Sequence, residues 1–353
     1  MLKADFQKYL LKFKSPAGTS RGVYTERASW FISVWDDNSP TQRGIGECAP
    51  LPGLSPELDG DFEAVIAQCC REIAGYHDWP RDRLYGHSSL RMALETAFLD
   101  LGTCGCTHIL FPTDFTDGEM GIPINGLIWM GDRDFMAHQI REKLQAGFRC
   151  LKLKIGALDF SQETALITDI RRINTEEQIE IRLDANGAFE PSAARRALHD
   201  LAALGIHSIE QPIMAGQWQD MANLCRSSPI PIALDEELIG IEDVPSKERL
   251  LQEIRPAYLI LKPTLHGGFS GCREWIALAQ TAGIGWWVTS ALESNVGLGA
   301  IAQWTATLGN PRPQGLGTGQ LYVNNFPSPL YINRDQLRWQ PGVSLNLLEL
   351  HHE

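Results

Sequence analysis

The chain has 353 residues, 44% of them hydrophobic, and a formal net charge of −12 at pH 7. This length points to about two domains with material for a large core. The acidic balance argues against a nucleic-acid or anionic-membrane surface, since both need clustered Lys and Arg, and no apolar run reaches the roughly 18–20 residues of a membrane helix.

The opening stretch "MLKADFQKYLLKFKSP" mixes charges throughout and has no apolar h-region, so it does not read as a signal peptide, and a cytoplasmic setting is expected. The eight cysteines are Cys48, Cys69, Cys70, Cys104, Cys106, Cys150, Cys225 and Cys272. They are scattered, with no metal spacing beyond Cys104-x-Cys106, and read as free thiols in a reducing compartment.

Residues 1 to about 120 have a mixed α+β texture. "ASWFISVWDD" (28–37) alternates and predicts a strand, while 61–76 and 88–103 carry helical spacing. Gly- and Pro-rich loops are expected at "SPAGTSRG" (15–22) and "GECAPLPGLSPE" (46–57). From 122 onward, short apolar runs alternate with amphipathic stretches. The runs are 122–129, 150–156, 179–187, 206–213, 230–238, 257–264 and 284–292, with a weaker eighth, "PQGLG", at 313–317. Helices are expected between them, for example over 133–147 and 160–174. Repeated strand–helix units imply parallel strands with right-handed crossovers, and seven or eight of them in about 200 residues suit a closed barrel. "NG" at 125–126 could mark a hairpin, but no second strand follows at hairpin distance. After 318 only short strand-like pieces remain, and they are expected to complete the first domain. The closing "LHHE" reads as a charged tail without a metal role. The expected organisation is a capping domain over 1–120, a barrel over 121–318 and a returning segment over 319–353.

At the C-terminal ends of consecutive runs stand Lys154, Asp184, Glu210, Asp235 and Lys262, separated by 30, 26, 25 and 27 residues. Each gap is one βα unit, so five strands present one ionisable group at one level, the mouth of such a barrel. Taken singly, each has a bland explanation, as a helix cap or an exposed edge-strand lysine. As a regular set they point to a site. Three converging carboxylates need a counter-cation, and all-oxygen donors select Mg²⁺ or Mn²⁺ over Zn²⁺. In "CLKLKIG" (150–156), Lys152 and Lys154 share one face of a strand. Their mutual repulsion and burial are expected to depress their pKa values, which suits a general base. Lys262 is a partner acid, an opposite-face base or an electrostatic stabiliser. Of Glu236 and Glu237, one is expected to support Asp235 and the other to face solvent. His266 reads as a loop residue, and "GLGTG" (315–319) as the eighth strand and its turn.

This set of motifs, "LKLKIG", "RLDANG", "IEQPI", "ALDEEL" and "LILKPTLHGG", resembles the enolase superfamily, in its muconate-lactonizing-type branch, over nearly the whole chain. The resemblance implies an α/β modified TIM barrel, (β/α)₇β, with an α+β capping domain formed by the N-terminal segment and the C-terminal tail. "TSALESNVGLGAIA" (289–302) and "SPAGTSRG" are similar to segments of the o-succinylbenzoate synthases of that branch. A hydro-lyase of menaquinone biosynthesis is implied, with a small-molecule substrate, 2-succinyl-6-hydroxy-2,4-cyclohexadiene-1-carboxylate (SHCHC). By the same resemblance Lys154 is the base and then the acid of a syn elimination. Asp184, Glu210 and Asp235 hold Mg²⁺, Lys152 keeps the pKa of Lys154 low, and Lys262 stabilises the enediolate. Asn186, Ser290, Ser294 and Arg21 are implied as substrate contacts, and Arg182 as an orienter of the ligands. An N-acylamino-acid racemase or dipeptide epimerase would carry the same lysines, and stays open as the alternative.

Overall fold

The computed structural model describes residues 1–19, 22–103, 108–156 and 158–345. Arg21, Cys104, Cys106 and the two histidines of the tail lie outside the described residues. The strand expected at 28–37 is longer and has a partner that the sequence reading left unassigned. β1 (Leu2–Thr19) and β2 (Gly22–Asp36) form an antiparallel hairpin, and β3 (Arg43–Cys48) pairs on the far side of β2. Leu2, Ala4 and Phe6 alternate with polar residues, and all three pack on the capping core. Most of the segment expected as a loop at 15–22 is therefore strand, because pairing with β2 satisfies its backbone.

α1 (Phe62–Arg71) starts at Asp61, whose carboxylate accepts from Ala64 N at 3.1 Å. It is shorter than the periodicity over 61–76 suggests, and 3-10 turns follow. α2 (Ser88–Gly102) lies directly on β3. A Cβ at Gly46 would stand 1.9 Å from the Ala93 carbonyl oxygen, and one at Gly44 2.0 Å from that of Ala97. Only glycine permits this approach.

Buried Glu57 accepts from Ser89 N at 3.2 Å, at the start of α2. Burial pushes its carboxyl up to about 8, against hydrogen bonds from Ser89 and Leu90 that lower it, and Glu242 adds to the rise. A raised folded-state pKa favours the protonated form in the fold. The stabilisation is full below the ordinary value of 4.5 and is lost as pH rises through about 8. Thermal unfolding of the natural chain should thus weaken between pH 5 and 8, by up to a few kcal/mol (on the order of one per pH unit), relative to Glu57→Gln. Parallel pH profiles for the two proteins would remove Glu57 from the account.

The barrel follows. β4 (Ile122–Pro123) precedes seven strand–helix units: β5 (Gly126–Ile128) with α3 (Arg133–Gln145), β6 (Cys150–Lys154) with α4 (Phe160–Ile173), β7 (Glu180–Asp184) with α5 (Pro191–Leu201), β8 (Ser208–Glu210) with α6 (Trp218–Ser227), β9 (Ile232–Leu234) with α7 (Val244–Ile254), β10 (Tyr258–Leu261) with α8 (Gly268–Thr281), and β11 (Gly285–Val288) with α9 (Asn295–Ala306). β5 to β11 are parallel and hydrogen-bonded in chain order. The ring closes through an eighth stave at 314–315, bridged in parallel to Ile124 and Thr289. Gln314 N donates to Pro123 O at 2.8 Å, and Gly315 N to Val288 O at 2.8 Å. This is the (β/α)₇β arrangement, with "PQGLG" as the weak last strand.

The apolar run at 122–129 is split. Ile122 and Pro123 pair instead with β13 (Gln336–Trp339) of the hairpin β12 (Leu330–Asn333)–β13. The chain after the barrel first returns to the capping sheet, where Val323 N donates to Lys12 O at 2.9 Å and Lys14 N to Leu321 O at 2.8 Å. It then packs β12–β13 beside the barrel's first strand. The six cysteines among the described residues carry free thiols. Among those residues no helix is long and apolar enough to cross a membrane.

Candidate active site

Parallel register puts the charged strand ends side by side. Lys154 is the register partner of Asp184, and Asp184 of Glu210. Leu151 and Leu153 belong to the apolar core, so β6 turns Lys152 and Lys154 to the barrel interior. Each buried leucine contributes about 1.5–3 kcal/mol, which helps the strand tolerate inward charge. Asp235 and Lys262 follow β9 and β10 by one residue each.

The Lys152 ammonium lies 2.9 Å from Asp184 Oδ2 and 2.6 Å from Glu210 Oε2. Lys154 Nζ lies 3.1 Å from Asp184 Oδ2 and donates to Asn186 Oδ1 at 2.7 Å. Lys262 Nζ pairs with Asp235 Oδ2. Three ammonium groups thus face three carboxylates that are at most 2% exposed. All five groups of the expected set meet in one cleft of about 800 Å³, counting its open mouth, or stand directly behind its wall.

The electrostatics differ from the sequence expectation at Lys152. Burial alone would lower its pKa, but Asp184, Glu210 and Asp235 outweigh burial and hold the ammonium above its usual range. Like-charge depression by a neighbouring lysine loses because three carboxylates surround this one. Lys262 is raised in the same way, burial being outweighed chiefly by Asp235 and Glu210. Asp184 is held well below the carboxylate range: burial opposes this, but Lys152, Lys154 and Lys262 prevail. Glu210 goes the other way, pushed up by burial and by the charge on Asp184.

Glu210 Oε1 and Asp235 Oδ1 are buried without a hydrogen-bond partner among the described residues. Buried carboxylate oxygens left over in this way, in an all-oxygen donor set, fit a hard dication. No three acidic, histidine or cysteine side chains among the described residues form a finished cage, and ammonium groups stand between the carboxylates. A dication would take over the neutralisation that the lysines now supply.

Three supporting residues were not legible as such. Gln211, at φ 40°, accepts from Asp235 N at 3.2 Å and Glu237 N at 3.3 Å, and donates to Glu237 Oε2 at 3.1 Å. Glu237, expected to be solvated if Glu236 supports the site, is 4% exposed and also accepts from Gly216 N at 2.7 Å. Glu236 is buried too and accepts from Asn186 Nδ2 at 3.0 Å, so Asn186 links Lys154 to Glu236. His266 lies in the turn between β10 and α8, as expected of a loop residue, but it is buried. Its Nδ1 accepts from Lys262 N at 3.0 Å, and Nε2 faces Asp235 Oδ1 at 4.0 Å. Burial pushes its pKa down to about 3, so the ring is neutral. The "LKPTLHGG" spacing, His four residues after the lysine, was the available signal.

The other expected contacts separate. Ser290 lines the cleft and pairs with the Thr318 hydroxyl at 2.6 Å. Ser294 stands outside the lining. It is fully buried, caps α9 by accepting from Val296 N at 3.1 Å, and donates to Glu47 Oε2 at 2.5 Å. Arg182 reaches none of Asp184, Glu210 and Asp235: it donates to Glu180 at 2.6 Å and Pro313 O at 2.8 Å, and stacks 4.0 Å over Trp287. It points inward like Asp184 but one layer deeper. Tyr24, Leu54, Trp129 and Thr318 complete the walls. Sequence reasoning followed charge along the strand ends and so passed over Trp129, just beyond β5.

A family model described as "Enolase C-terminal domain-like" matches residues 135–348. The chain is 46% identical to an o-succinylbenzoate synthase from Desulfotalea psychrophila, over 94% of this chain and 97% of that protein. It is 26% identical to an L-Ala-D/L-Glu epimerase from Bacillus subtilis, over 88% of this chain and 86% of that one. The crystal structure of MenC from Desulfotalea psychrophila superposes with a TM-score of 0.83 at 43% identity, covering 96% of this chain and 99% of that one.

Proposed function

Because this chain belongs to the enolase superfamily, we propose that it is a hydro-lyase that converts SHCHC to o-succinylbenzoate in menaquinone biosynthesis. The observation that carries the reading is the pair of lysine-bearing walls around a carboxylate cluster, in a chain so similar to a synthase of that name. Mg²⁺, held by Asp184, Glu210 and Asp235 (Mn²⁺ has the same donor preference), supplies Lewis-acid stabilisation of charge on the substrate carboxylate.

The chain's own residues do the rest. β6 and β10 are four staves apart in an eight-stave ring, so Lys154 and Lys262 face the substrate from opposite sides. Lys154, as the free amine, takes the proton alpha to the carboxylate. It then returns that proton to the departing hydroxyl on the same face. The C–H and C–O bonds break, a C=C bond forms, water leaves, and the ring becomes aromatic. Asn186, anchored by Glu236, holds Lys154 Nζ in place between the two transfers. Lys262 stays protonated beside Asp235 and stabilises the anionic intermediate from the other face. Lys152 adds fixed positive potential. With Lys154 as the free amine, Lys152 and Lys262 offset two of the three carboxylates, and a bound dication would still leave net positive charge for a dianionic substrate. Ser290 with Thr318 contributes hydroxyls for the succinyl end, and Arg21 is assigned as a further substrate contact. The free thiols suit the cytoplasm.

Mixing the protein with SHCHC and Mg²⁺ should bleach the diene absorbance, and EDTA should stop it. Absence of conversion with metal bound, together with inversion of an N-acyl amino acid, would move the assignment to a racemase.

A further inference from the structure

The loop "GECAPLPGLSPE" takes no part in the chemistry above, yet it forms one wall of the cleft through Leu51 and Leu54. The adjoining wall includes Ala291 and Leu292, from the loop after β11, which pack with Leu51 and Leu54 in one apolar cluster. These two loops belong to different parts of the fold, and neither 49–55, which follows β3, nor 290–294 contains a regular strand or helix. Between them lies Arg27 of β2, a guanidinium only 3% exposed. Its Nη1 donates to the carbonyls of Ala291 and Leu292, both at 2.6 Å. Its Nη2 donates to those of Ala49 and, at 3.0 Å, Pro50.

Leu292 is held at φ 63°, a left-handed conformation that a bulky residue keeps only when its surroundings impose it. Its carbonyl receives a second bond, from the Tyr322 hydroxyl at 2.5 Å. On the capping side, the Tyr24 hydroxyl donates to Pro52 O at 3.0 Å. A planar fork with several donors can bridge four carbonyls on two loops, and an ammonium on a flexible stem cannot reproduce that geometry.

We propose that Arg27 is a positioning residue for substrate recognition. One buried guanidinium holds the capping-loop wall against the Ala291–Leu292 wall, and so fixes the shape of the cleft on that side. Arg27 touches none of the reacting groups. Its effect belongs in substrate binding and not in the proton transfers or in metal affinity. The substrate named for the test rests on the dehydratase reading, but the clamp itself does not.

The test compares the natural protein with Arg27→Met, Arg27→Lys and Tyr322→Phe. Steady-state kinetics with SHCHC would be joined to Mg²⁺ titration calorimetry and hydrogen exchange by mass spectrometry. Arg27→Met should raise KM about tenfold or more, with kcat changed no more than about threefold and Mg²⁺ affinity unchanged. Arg27→Lys should fall between it and the natural protein. Amide exchange should quicken in both 49–55 and 289–294. A folded Arg27→Met with unchanged KM, or with exchange quickened in only one loop or in neither, overturns the proposal. If Arg27→Met does not fold, Arg27→Lys and Tyr322→Phe are judged by the same criteria, with smaller shifts. If the natural protein leaves SHCHC untouched, the dehydratase reading fails, and the exchange data alone decide the clamp.

Discussion

Lys154→Ala should lose turnover of SHCHC by at least the upper end of the 10²–10⁴-fold range of a single general acid–base group, since one amine serves both proton transfers. Mg²⁺ affinity should not fall with it. The Lys154 ammonium lies 3.1 Å from Asp184 Oδ2, where it competes with a cation for that oxygen. Deleting it removes a competitor, so calorimetry should find metal binding unchanged or tighter. Near-normal turnover in this variant would sink the assignment of Lys154 as base. A parallel loss of metal affinity would mean that Lys154 supports the carboxylates instead.

Asp235→Asn should act in the opposite order, on the metal first. Asp235 is fully buried, with one oxygen paired to Lys262 and the other facing His266 Nε2 at 4.0 Å without a hydrogen-bond partner among the described residues. The amide removes one of three negative charges from the site and leaves the Lys262 ammonium beside a neutral group. Mg²⁺ affinity should drop on the order of 100-fold, and turnover at subsaturating metal should drop with it. Breaking a buried pair from one side can also destabilise the fold by about 3–5 kcal/mol, so unfolding should be measured on the same sample. Unchanged metal affinity in the folded variant would exclude Asp235 as a ligand.

The five charged strand ends were legible because a parallel barrel repeats. Each βα unit spends a similar number of residues, so groups at one level recur at a near-constant interval. The closing stave was also legible, though weakly, since Pro313 and two glycines leave room for little more than a bridge. The Gly and Pro content of 15–22 points locally to a loop, whereas most of this segment extends β1. A partner strand overrode that local preference.

Spacing and residue chemistry by themselves determined the barrel and the level at which its five charged strand ends meet. Periodicity is a local property, and parallel register carries it into three dimensions without further information. Only the tertiary structure decided the rest. It turned Ser294 away from the cleft to cap α9 against Glu47, and it placed Arg182 one layer too deep to reach the carboxylates. It buried His266 and Glu237 beside Asp235, and it held Lys152 protonated. It also brought Arg27 to four carbonyls, the farthest 265 positions away in the chain. These depend on which loops meet across the domain interface and on the summed field of several charges. Distances in space set both, and spacing along the chain does not encode them.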